Sequence, residues 1–251
     1  MRGLFVVHGL KRSGNHAIIN WLLGQAPFEF FNNVIFINSI LNGEPFPPTF
    51  DNVDALLKTR IASRYDRFML RWTRPVMVSL EDHPLTVSPF THPERLKTLH
   101  LLVLRDPRNL WASRIGIARR LNVPCFRTDA PSMQRFIDLW KSHAREMIGM
   151  TGVLKRKVCI YYNAWYSSEE YRRRISAQLR LTFSDNGLNR VSDEGGGSSF
   201  DGLEFDGKGS QMSVLSRHAQ LTLEEKRILD RILQDDEMMK LADLIEEEHA
   251  R

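Results

Sequence analysis

The sequence predicts a single α/β domain over residues 1–251, in which about five parallel strands form a central sheet with helices on both faces. Three observations point to it. Short runs of Leu and β-branched residues recur without polar alternation, as in strands covered on both sides. Between them lie stretches with apolar residues at helical spacing. Two of the strands also run through a tight polar turn straight into a helix.

The first such unit is Leu4 to Leu23, LFVVHGLKRSGNHAIINWLL, a strand, a polar turn and an apolar helix. The turn carries Gly9, Lys11, Arg12 and Gly14. Backbone N–H groups of such a turn, with the N-terminus of the helix behind it, form a site for phosphate. The turn satisfies GxxxxG. A nucleotide triphosphatase then needs Lys followed by Ser or Thr, for the outer phosphates and magnesium, and here Asn15 and His16 stand in those places.

Along the chain, Asn33 to Asn38 reads as a buried strand, Pro45 to Pro48 as a surface loop and Arg60 to Trp72 as a strongly basic stretch. Pro75 to Leu80 is the next strand and ends in Glu81, Asp82 and His83. Strand alternation puts Glu81 and His83 on one side and Asp82 on the other. Leu99 to Leu104 is followed by Asp106-Pro107, an N-cap and first-turn proline for a helix carrying Asn109 to Arg120. A second helix follows from Ser132 to Met150, then a strand from Val158 to Tyr162 and a helix from about Glu169 to Leu181.

Residues 186–209 hold seven of the fifteen glycines, so a mobile loop is expected across 186–215. Thr222 and Glu225 form a capping box for a C-terminal helix over 222–248. With 42% apolar and 26% charged residues the composition is that of a soluble globular protein. The first strand begins almost at Met1 and no apolar run reaches the roughly 18 residues of a membrane span, so a cytoplasmic protein is expected. Cys125 and Cys159 make neither a disulfide framework nor a zinc spacing. The net charge of +5 suits an anionic ligand, but its cations are dispersed, and no nucleic-acid partner is expected.

Three pieces, GLKRSGNH, the segment from Arg105 to Ser113 and the segment from Tyr161 to Ile175, together resemble the sulfotransferase superfamily, as a soluble member of bacterial or cytosolic type. The resemblance implies a P-loop-like three-layer fold and a donor, PAPS, that leaves as PAP without a metal. Arg12, Ser13 and Gly14 match that family's loop for the bridging 5′-phosphosulfate, Asn15 and His16 replace its usual hydroxyl pair, and the N–H groups from Ser13 to His16 would hold the 5′-phosphate beside Lys11. Arg105 and Ser113, eight residues apart, match its 3′-phosphate clamp. Tyr162 would lie near the adenine, and Lys208-Gly209 is similar to the family's closing segment over the 3′-phosphate. Lys11 and Arg12 would neutralise the leaving phosphate. The family places a His or Glu as general base near the sulfuryl group, which makes His83 and Glu81 the candidates here. The acceptor, a small molecule, sugar or lipid, carries no recognisable code. The competing readings are a P-loop kinase and a catalytically silent PAP-binding protein.

Overall fold

A computed structural model describes residues 3–33, 74–87, 97–121, 130–193 and 197–249. All but the first residue of the expected strand at Asn33 to Asn38, together with the proline loop, the basic stretch and Cys125, lie outside these residues.

The apolar runs form a parallel sheet of five strands: β1 (Leu4–Gly9), β2 (Glu29–Phe31), β3 (Val76–Glu81), β4 (Thr98–Leu104) and β5 (Lys157–Tyr161). Their order across the sheet is β2-β3-β1-β4-β5, which puts β1 in the centre. The second strand precedes the expected one, in the aromatic cluster around Phe30 and Phe31. Helices are α1 (Asn15–Leu23), α2 (Pro107–Leu121), α3 (Ala130–Met147), α4 (Tyr162–Ser167), α5 (Glu169–Gln178), α6 (Leu223–Ile232) and α7 (Asp236–His249).

Both faces of the sheet are covered, and β4 shows why its sequence lacks polar alternation. Leu101 and Val103 pack with Ile18, Trp21 and Trp165 on one side, while Leu102 and Leu104 pack with Trp111, Trp140 and Leu241 on the other. A strand buried on both faces has no solvent side on which to place polar residues. The expected caps form: Asp106 accepts from the Asn109 N–H at 2.8 Å, and Thr222 and Glu225 close their box. The C-terminal helix is not continuous. Asp235 accepts from the Met238 N–H at 2.8 Å and so starts a new helix, which separates α6 from α7.

Because β1 connects towards β2 and β3 on one side while β4 and β5 lie on the other, the sheet changes direction beside β1. In open α/β sheets ligands gather at the carboxyl edge of that point. Here Gly9 pairs in register with Glu81, and Leu104 with Tyr161, so the segments after β1, β3, β4 and β5 emerge along one edge.

Three imidazoles lie in the sheet or on the helix packed against it, His8 and His143 buried and His100 half-buried. His8 meets His100 at 2.9 Å, and His143 is fully buried. Burial lowers all three below the ordinary histidine range, His8 further depressed by His100 and His143, and His143 reaching about 4. A histidine whose folded pKa lies below its unfolded value is stabilising only while neutral. Its contribution is complete above the unfolded value of about 6.5 and is lost as pH falls towards about 4. Melting temperature is therefore expected to fall steeply between pH 6.5 and 4, by the equivalent of about 3 kcal/mol for His143 alone. His143→Gln, which cannot take up that proton, flattens the slope in a melting series across this window.

Candidate functional site

The turn after β1 is closed by a hydrogen bond from the Ser13 N–H to the Leu10 carbonyl at 3.0 Å. Arg12 at φ 75° and Gly14 at φ 86° lie in the left-handed region, which curls successive N–H groups to one side. Gly14 is required on two grounds: its φ, and the Tyr162 ring against which a Cβ would collide. No side chain caps α1 and no acid lies in its first turn. Ser13 is fully buried with its hydroxyl unpartnered.

Arg105, the first residue after β4, brings the second predicted piece to this turn. Its Nη1 donates to Ser113 Oγ and to the Arg12 carbonyl, both at 3.1 Å, and Nη2 donates to the Val214 carbonyl. The guanidinium lies 5.0 Å from the Tyr162 ring centroid, and its Nε is buried without a partner. Arg12 donates from Nε to Ser199 Oγ at 2.8 Å and from Nη2 to the Gly197 carbonyl at 2.7 Å. The glycine-rich segment is thus tied to the phosphate loop.

Arg12, Arg105, Arg190 and Arg217 line one cavity of about 110 Å³, together with Ser113, Tyr162 and a single carboxylate, Glu81, among the described residues. Arg217 is buried, ion-paired to Asp201 at 2.6 Å, and keeps an unpartnered Nη1. Burial is the main cause that holds Arg12 down at about 10; Glu81 opposes it, and Arg120, Arg105 and Arg217 add to it. Arg105 is lowered by burial as well. Both remain cationic at neutral pH. With Arg217 paired to Asp201, the buried Arg105 and the half-buried Arg12 share the cavity carboxylate, Glu81, a charge balance that an anion would complete.

Arg12, Gly14, Asn15, His16, Glu81, Arg105, Ser113 and Tyr162 therefore meet at the cavity, and Ser13 lies beneath the turn. Lys11, His83, Lys208 and Gly209 do not line it. Strand alternation fails for His83 because β3 ends at Glu81 and Asp82 turns the chain at φ 61°. His83 is half-buried beyond that turn, its pKa lowered chiefly by burial, which Asp82 opposes. Lys208 is exposed ahead of the 3-10 turn Gly209–Gln211, and Gly209 packs on the Asn189 backbone. Arg190 and Arg217 escaped the sequence reading because neither follows a strand or sits in a recognisable spacing. Only the return of the segment after Asn186 over the sheet edge brings them in.

Asp82 has a different task. Its Oδ1 accepts from the Lys11 N–H at 2.9 Å, and it pairs with Arg114, whose side chain is 3% exposed, at 2.9 Å. Arg114 also donates to the Lys11 carbonyl at 3.1 Å. Asp82→Ala removes a carboxylate from a buried guanidinium and the acceptor of the Lys11 N–H, and is expected to cost about 3 kcal/mol by denaturant unfolding.

No family model and no curated protein sequence matches the chain. Solved structures do. Mouse sulfotransferase SULT7A1, a crystal structure complexed with PAP, aligns over 98% of this chain and 90% of its own at a TM-score of 0.54 and 12% identity. This chain has the sulfotransferase fold. The sulfotransferase domain from the curacin biosynthetic pathway aligns over 98% of both chains, with a TM-score of 0.53 and 13% identity. That from the Synechococcus PCC 7002 olefin synthase covers 97% of this chain and 94% of its own, at 0.50 and 13%. Among the described residues no helix is long and apolar enough to cross a membrane, and no group of three His, Cys, Asp or Glu is arranged to hold a metal.

Proposed function

We propose that the cavity binds PAPS and that the protein transfers its sulfuryl group to a hydroxyl or amine. One observation carries the reading. Arg105 and Ser113 meet at 3.1 Å beside a phosphate-type turn, so two anion sites share one cavity as a ligand with two separated phosphates requires. The unpartnered donors on Arg105 and Arg217 fit phosphate oxygens, which would take the place of the Gly197 and Val214 carbonyls now engaged by Arg12 and Arg105. Arg217, near enough to Arg105 to perturb it, would add a second cation to the 3′-phosphate end, whereas Lys208 is exposed outside the cavity lining.

In this reading the acceptor O–H or N–H gives its proton to Glu81 as the bond from acceptor to sulfur forms. The bond from sulfur to the bridging oxygen breaks in line, and PAP leaves with its charge met by Arg12 and the N–H groups of the turn. Glu81 is preferred over His83 as base because it lines the cavity. Calorimetric titration with PAP, AMP and ATP tests the donor site. PAP is expected to bind at least tenfold tighter than either; equal affinity overturns the proposal. Release of PAP from added PAPS then separates a transferase from a silent binder.

A further inference from the structure

Asn15 occupies the first position of α1, where a phosphate loop ordinarily carries a group for its ligand, yet its amide N–H groups are taken up within the protein. Its Nδ2 donates to the Leu10 carbonyl at 3.0 Å and to Glu81 Oε1 at 2.7 Å. Both partners are acceptors, so the amide cannot be reversed without setting oxygen against oxygen. The side chain is 2% exposed. Gly9 makes the room: it is the register partner of Glu81, and a Cβ on it would overlap the Asn15 amide. The Glu81 backbone is held separately, its N–H donating to Asn33 Oδ1 at 3.3 Å.

We infer that Asn15 is a positioning residue for Glu81: it holds Oε1 by an N–H that cannot ionise, so that a proton from the acceptor is received on Oε2. This rests on the reading of Glu81 as general base. Gly9, Asn15 and Glu81 then form one unit linking the phosphate turn to the base, and the residue that replaces the loop hydroxyl serves proton transfer instead of donor binding. A carboxylate fixed in one orientation loses little freedom on the way to the transition state, which is where positioning contributes to rate.

The test uses PAPS with water as acceptor, reading PAP release, together with calorimetric PAP binding, for the wild type, Glu81→Gln, Asn15→Ala and the isosteric Asn15→Asp. Asn15→Ala is expected to lower kcat about 10- to 100-fold while PAP affinity stays within about twofold. Asn15→Asp sets a second carboxylate against Glu81 and is expected to move the acid limb of the rate profile up by about one pH unit or more. PAP binding by each variant shows that it has folded, and Asn15→Asp preserves the packing if Asn15→Ala does not. Wild-type kcat and pH profile in these variants, or a loss confined to PAP affinity, overturns the inference while leaving the transferase reading intact. A wild type that releases PAP no faster than Glu81→Gln overturns the assignment of the base, and the inference with it.

Discussion

Arg105→Ala is expected to abolish the preference for PAP over AMP. The two ligands differ by the 3′-phosphate, and Arg105 supplies the cation nearest Ser113 for it. A charge-assisted bond contributes roughly 1.5 to 3 kcal/mol, so the PAP affinity should fall about 10- to 100-fold while AMP changes little. Arg105 also donates to the Arg12 and Val214 carbonyls, and its own carbonyl accepts from the Trp140 indole at 3.0 Å. Some loss of melting temperature is therefore expected as well. Arg105→Lys separates the two effects: it keeps the charge but not the fork, and should recover part of the affinity without restoring discrimination. Titration of each variant with both nucleotides decides the matter, and an undiminished preference for PAP in Arg105→Ala would place the second phosphate elsewhere.

Glu81→Gln should lower PAP release from PAPS by about 10²- to 10⁴-fold, the usual contribution of a positioned general base, with PAP affinity nearly unchanged. Glutamine keeps the volume and still offers an oxygen to the Asn15 amide, so the fold should survive. His83→Ala is the matched comparison: a side chain that lies beyond the turn at Asp82 should leave the rate within a few-fold. A large loss in His83→Ala with little in Glu81→Gln would return the role of base to His83.

Much of this was visible in the chain. The run from Leu4 to Leu23 announces a strand, an anion turn and a helix because glycine spacing and apolar periodicity act over a few residues, the range within which sequence dictates conformation. The Asp106 and Thr222 caps were legible for the same reason. Arg105 and Ser113 could be paired because one helical segment connects them. The failures lie where local rules meet a change of backbone direction. Alternation grouped His83 with Glu81, but one residue at positive φ between them ends the strand. Local pattern likewise names no partner for the glycine-rich segment, which delivers Ser199 and the Gly197 carbonyl to Arg12.

The sequence by itself therefore determined four of the five strands, the covering of the sheet on both faces and the pieces that border the cavity, since each depends on short-range pattern and on burial of apolar runs. Only the tertiary structure decided which cations share that cavity and which carboxylate faces them. Arg190 and Arg217 reach it from the far end of the chain, and Asn15 meets Glu81 across 66 residues. Such contacts are set by strand order and register, which put Gly9 beside Glu81 at the edge of the sheet. No local preference of either segment encodes that neighbour.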